Sequence, residues 1–204
     1  MNRPGSCLFS SFYLASIEYY SVLFRAQNAV IEIHENYQKQ SYRNRCNIVG
    51  ANGLIPLSIP IEKPDSPKCR MKEIRIADHG NWRHLHWNAI LSAYNSTPFF
   101  EYYADELQPF YEKEIPFLVD FNLQLHELVC GWLQIETPTR LSSEYIVEIP
   151  EGTSDYRETI HPKRPSDFTT KPYYQVFREK LGFIQNASII DLVFNMGNEA
   201  RLWL

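Results

Sequence analysis

Residues 8–34 read LFSSFYLASIEYYSVLFRAQNAVIEIH. Leu8 to Leu14 is an apolar run of strand length, and Ser16 to Ala26 reads as a helix. Ala29 to His34 is a second strand, with Val30, Ile31 and Ile33 as its apolar residues. A strand, a helix and a strand in that order favour parallel pairing, because parallel neighbours need a connection that runs back along the sheet, and that crossover is right-handed. The start of the chain therefore predicts an α/β fold.

Directly downstream, residues 40–60 read QSYRNRCNIVGANGLIPLSIP. Strands near Arg45–Gly50 and Leu54–Ile61 flank Ala51-Asn52-Gly53, and Asn-Gly favours a type I′ hairpin turn. Tyr42, Arg43, Asn44 and Arg45 bring many donors to the hairpin mouth. Tyr42, Asn44 and Arg45 are accordingly candidate ligand-binding residues for an anionic or carbonyl-rich group. A solvated strand edge guarded by charge is the other reading of the same residues.

Beyond the hairpin, Lys72 to Ala77 alternates Ile74 and Ile76 with charges, which predicts a half-buried strand. The chain then turns helical. Asp78 or Asn81 is placed to cap a helix to about Tyr94, with Leu85, Ala89, Ile90 and Ala93 on its buried face. Pro98 opens a helix that Pro109 disturbs. The helix after Pro116 repeats Leu118, Phe121, Leu125, Leu128, Val129 and Trp132 at helical spacing. Tyr145 to Ile149 reads as a late strand. Pro172 begins a helix to Leu181, and Ser188 with Asp191 reads as a capping box on a last helix ending at Gly197. The pattern predicts one domain over 1–204, with a small mixed N-terminal sheet packed by five or six helices and a helical C-terminal half.

Composition excludes several classes. With 204 residues, 44% hydrophobic, 22% charged and net charge −4, the chain has the make-up of an ordinary globular protein without the basic surface that nucleic acid requires. No run of about 18 apolar residues is present, so no membrane insertion is expected. Cys7, Cys46, Cys69 and Cys130 lie far apart without a Cys-x-x-Cys pair, which points to reduced thiols and a cytoplasmic location. No signal peptide is read at the N-terminus.

Glu151 to Lys171 is a long segment without periodicity. Arg157, His161 and Lys163 concentrate positive charge in it and are candidate anion ligands, the segment acting as a lid; a solvated rim loop is the alternative. His34, at a strand end, and His86, on the buried face of its helix, are the candidate proton-transfer residues. His84 and His86 are spaced i and i+2 rather than i and i+4, so no metal is expected. No glycine-rich phosphate loop and no Gly-x-Ser-x-Gly elbow occurs, and no cofactor is expected.

Lys39 through Arg45, Trp82 with His86, Tyr94, Pro98-Phe99-Phe100, Asn122, and the stretch from Gly182-Phe183 through Ser188-Ile189-Ile190-Asp191-Leu192 to Phe194-Asn195-Met196-Gly197 together resemble the WbqC-like family of bacterial proteins. The segment from Asp155 to Lys163 resembles the short form of Bacteroidetes-type members. Two departures stand out. Phe9-Ser10-Ser11, followed by Ala15, occupies the place of a His-Gln-Pro segment and a later proline, and Ile33-His34 that of an acidic pair. The resemblance implies a role in lipopolysaccharide O-antigen or other surface-polysaccharide biosynthesis. The expectation is an uncharacterised enzyme, of transferase type, acting on an activated or amino sugar. A non-catalytic binding or assembly protein of the same pathway is the alternative, and the oligomeric state stays open. The partner expected is an anionic or sugar-type small molecule.

Overall fold

The structure, a computed structural model, describes residues 5–64, 66 and 68–204. Strand β1 (Ser6–Ser10) leads through helix α1 (Ile17–Arg25) to β2 (Asn28–Glu32), and the two strands pair parallel with Leu8 opposite Val30 and Ser10 opposite Glu32. The expected β-α-β start is present, with both strands shorter than read. After Ser10 the backbone leaves the sheet: Tyr13 donates its amide to the Tyr42 carbonyl, and Leu14 takes a left-handed φ of 38°. Ile17, Tyr20 and Leu23 bury one face of α1, while Glu18 in its first turn and Arg25 in its last complement the helix dipole.

Strands β3 (Arg45–Gly50) and β4 (Gly53–Ser58) form the hairpin. Its turn differs from type I′, because the positive φ falls on Gly53 at 113° and on neither Ala51 nor Asn52. Glycine takes that conformation at no side-chain cost. The stretch expected as a strand at 72–77 is instead a 3-10 turn (Met71–Glu73) followed by single bridges, Arg75 to Phe117 and Ile76 to Ile61. The alternation still holds: Ile74 and Ile76 are buried, and Arg75 lies exposed over the Phe117 ring.

Four helices follow: α2 (Trp82–Tyr94), α3 (Phe100–Leu107), α4 (Pro109–Glu112) and α5 (Leu118–Leu133). Pro109 starts α4, where its missing N–H costs nothing. The buried stripe of α2 is Trp82, His86, Ile90 and Ala93, so the helix is rotated from the expected face and Leu85 is 60% exposed. The stripe follows His86, which is drawn inward by Tyr13 and Ser58.

Strands β5 (Thr139–Leu141) and β6 (Thr153–Asp155) complete the sheet, in the order β5-β2-β1-β6, all parallel. Among the described residues, antiparallel ladders are confined to the separate hairpin, with isolated antiparallel bridges elsewhere. The strand expected at Tyr145–Ile149 is irregular, with a bend at Glu148, and pairs with no strand; the backbone of Ile146 is bonded to side chains instead.

Helix α6 (Arg178–Leu181) is a single turn rather than a helix from Pro172, and α7 is Ile189–Met196. The physical reason for the difference is Asp191. Its buried carboxylate accepts from the Tyr173 hydroxyl and from Gln175 Nε2 at 2.8 Å, which holds residues 173–175 out of a helix. The expected capping box is therefore absent: the Ser188 hydroxyl donates to the Leu14 carbonyl at 2.7 Å, and the Asp191 side chain faces the core. Phe194 lies at the centre, its ring 5.2 Å from both Tyr94 and Phe100. Gly197 closes α7 with φ 57°, and a Cβ there would stand 2.6 Å from the Phe99 ring.

Candidate functional site

The sheet order places β2 on one side of β1 and β6 on the other, so the winding reverses at β1. In open parallel sheets, ligands bind beyond the carboxyl ends of the strands at such a reversal. There lies a cleft of about 170 Å³ lined by Glu35, Asn36, Gln38, Tyr145, Asp155, Arg157 and Glu158. A larger hollow of about 430 Å³ lies elsewhere, against the 62–75 segment, and its ion pair, Arg75 to Glu62 at 3.6 Å, is solvent-exposed. Convergent buried charge distinguishes the smaller cleft.

Arg43 lies behind the lining residue Glu35 and is 0% exposed. Its guanidinium grips Glu35 with two bonds, Nε to Oε1 at 2.8 Å and Nη2 to Oε2 at 2.6 Å. Nη2 also donates to the Ser10 hydroxyl at 2.9 Å and meets Glu158 Oε1 at 3.4 Å. A bidentate pair of this kind fixes orientation as well as charge. Desolvation pushes the Glu35 carboxyl up, and Arg43 offsets only part of the rise. Asn122 donates to the Arg43 carbonyl at 2.8 Å and holds its backbone.

Arg157 forms a side wall. It donates to Asp155 Oδ1 at 3.0 Å and Oδ2 at 2.8 Å, and to the Ile146 carbonyl at 2.9 Å, with its guanidinium 5.3 Å from the Tyr145 ring centre. The bonds to Asp155 hold the arginine above its ordinary value. Burial raises the Asp155 carboxyl, but the bonds from Arg157 outweigh it and leave the group low. Glu32, at the end of β2, is fully buried. It accepts from the Ser142 hydroxyl and from the amides of His34 and Ile146, at 2.7 to 2.8 Å.

Of the residues singled out in the sequence, Arg157 alone lines the cleft. His161 and Lys163 stand outside it: Lys163 donates its amide to His161 Nδ1 at 3.1 Å and its ammonium to Gln40 Oε1. Burial, with Arg164 beside it, lowers the His161 pKa. Residues 151–171 are pinned rather than free, by β6, by the buried Ile160, by Tyr156 stacked at 5.4 Å on Phe9, and by Ser166 bonded to Glu18. Asn44 bonds the Ile59 carbonyl at 2.8 Å and Arg45 the Ser58 hydroxyl at 2.9 Å, so both tie the hairpin together. Tyr42 is half-buried against Phe12, and burial raises its hydroxyl. His34 is half-exposed just beyond β2.

His86 sits in the core, away from the cleft lining. Tyr111, Tyr13 and His86 form a chain, 2.8 Å between the two hydroxyls and 3.0 Å from Tyr13 to His86 Nδ1. Burial pushes the imidazole down to about 4, against the pull of the Ser58 carbonyl, so it is neutral at pH 7. Sequence reading took Glu35 only as a neighbour of His34, and passed over Tyr145, Asp155 and Glu158 as site residues and the role of Arg43. The available signal was the Tyr42–Arg45 donor cluster eight residues after Glu35, at the end of a parallel strand. Among the described residues, no group of three or more His, Cys, Asp or Glu is arranged to hold a metal, and no helix is long and apolar enough to cross a membrane.

Glu32 and Glu35, on either side of Ile33-His34, are both buried, and Ser10, in the segment that departs from the expected His-Gln-Pro, accepts from Arg43. Comparison with known proteins gives two matches. The sequence profile of the WbqC-like protein family covers residues 11–161. The uncharacterized protein Rv1507c of Mycobacterium tuberculosis (strain ATCC 25618 / H37Rv) is 24% identical over 213 residues, covering 91% of each chain. No solved structure matches.

Proposed function

This chain belongs to the WbqC-like protein family, and on that premise we propose that it is a cytoplasmic enzyme of transferase type, acting on an activated amino sugar in surface-polysaccharide or O-antigen assembly. The observation that carries the reading is the charge balance of the cleft. Glu35, Asp155 and Glu158 line it against Arg157, with Arg43 behind. Arg43 and Arg157 are engaged by Glu35 and Asp155, so the group left to meet a ligand is the partly exposed Glu158, shared with Gln38 and Arg164, which favours an ammonium or hydroxyl-rich group over a phosphate. Asn36 and Gln38 add amide partners, and Tyr145 an aromatic face. At about 170 Å³ the cleft is smaller than the ~300–1,000 Å³ of drug-sized sites, which suits one sugar unit. The activating phosphate would lie outside it, towards Arg164 and Lys163, both exposed beyond Glu158 and Gln40.

A second reading, a binding or assembly protein of the same pathway, is favoured by His86, which is enclosed between Tyr13 and Ser58 and does not line this cleft.

The test compares glucosamine 1-phosphate with glucose 1-phosphate by calorimetry. A charge-assisted bond of roughly 1.5–3 kcal/mol predicts at least about tenfold tighter binding of the aminated sugar, most of it lost in Glu158→Gln. Equal affinities would remove the amino-sugar reading. Group transfer from the activated sugar, lost in His34→Ala with binding retained, favours the enzyme over the binding protein.

A further inference from the structure

The segment Glu144-Tyr145-Ile146-Val147-Glu148-Ile149 has the composition of a strand, rich in β-branched and aromatic residues, yet it pairs with no strand. Its backbone is half used. Ile146 donates its amide to Glu32 Oε2 at 2.8 Å, and its carbonyl accepts from Arg157 Nη1 at 2.9 Å. On either side of Ile146, Tyr145 and Val147 are both exposed. Neither has a backbone hydrogen bond among the described residues. Their side chains are open as well: Val147 is 76% exposed, Tyr145 49% and Ile149 37%. An exposed, unpaired stretch of this kind invites pairing by a further strand.

We propose that Tyr145–Val147, ahead of the bend at Glu148, is a docking site for an extended segment of a partner protein that alternates apolar and basic residues. The charge of the segment selects that occupant. Glu144, Glu148 and Glu151 are exposed around the apolar residues, and none forms an ion pair among the described residues. Lysine or arginine at alternate positions of an added strand would meet these carboxylates, while its apolar residues would cover Val147. A second copy of the chain would instead bring two sets of the three glutamates together, on a protein already at net charge −4. The segment is fastened to Glu32 and Arg157, and Tyr145 lines the cleft, so a docked strand would rest directly on the cleft wall.

The probe is a capped eight-residue peptide alternating lysine and valine, with a glutamate–valine peptide as control, followed by amide hydrogen exchange and titration. The lysine peptide is expected to slow exchange at Tyr145 and Val147 about tenfold or more, and its binding should weaken as salt screens the glutamates. Val147→Pro removes one backbone donor and leaves the Ile146 bonds in place, so it should weaken binding about tenfold in a protein that still unfolds cooperatively. Glu144→Gln/Glu148→Gln should weaken it in the same direction. Equal binding of the two peptides, or unchanged binding by Val147→Pro, overturns the proposal. Concentration-dependent protection of Tyr145 and Val147 without peptide would identify a second copy as the occupant and overturn it too.

Discussion

Arg43→Met is expected to cost about 3–5 kcal/mol of folding stability at pH 7, because it strands Glu35 as a buried, unpaired carboxylate. Arg43 is fully enclosed and Glu35 nearly so, and two bonds join them. The guanidinium also holds Ser10 and reaches Glu158, so its loss loosens the ends of β1 and β6 together. Two controls separate lost charge pairing from lost volume. The double variant Arg43→Met/Glu35→Leu should recover much of the deficit, since a buried ion pair replaced by apolar groups is often close to neutral. The single variant should also recover as pH falls. Burial already raises the Glu35 carboxyl, and losing Arg43 raises it further. A raised carboxyl contributes stability that is present at low pH and lost as pH rises. Denaturant unfolding across pH measures this, and a loss below about 1 kcal/mol for the single variant would contradict it.

The second large effect is acid destabilisation through two buried histidines. Burial lowers both His86 and His126 to about 4. An unfolded histidine titrates near 6.5, so the folded values are depressed. The stability that these groups contribute is present above 6.5 and lost as pH falls towards 4. At pH 4.5 each histidine accounts for roughly 2–3 kcal/mol. Asp191 acts in the opposite sense. Burial pushes it up to about 6 against its bonds from Tyr173 and Gln175, and that raised value adds stability as pH falls from 6 towards 4. His126→Gln should therefore flatten the loss between pH 7 and 4.5, and Asp191→Asn should steepen it. Identical slopes for wild type and both variants would rule out the assignment.

The parallel core of the fold was legible because residues 8–34 carry their own periodicity. The two outer strands were not. β5 and β6 are three residues each, with Thr139, Arg140, Ser154 and Asp155 among them, too short and polar for an alternation signal. Tyr145–Ile149 misled for the converse reason, as strand propensity is present where side chains have taken the backbone bonds. Asp191 had the spacing of a capping box, and spacing is silent on a tyrosine and a glutamine reaching it from 18 and 16 residues away. The site was legible only in part. Arg157 stood out as a cation in a long loop, and its role came from Asp155 and Ile146, which the fold supplies. Arg43 lay inside the cluster that drew attention, but its neighbours Asn44 and Arg45 point into hairpin bonds.

The cleft at the end of the parallel sheet is the proposed ligand site. Amide chemical-shift mapping during titration with glucosamine 1-phosphate tests it most directly. The largest shifts are expected on Gln38, Tyr145, Arg157 and Glu158. Shifts centred instead on Lys63, Lys68 and Arg75, or on Asn44 and Arg45 at the hairpin mouth, would contradict it.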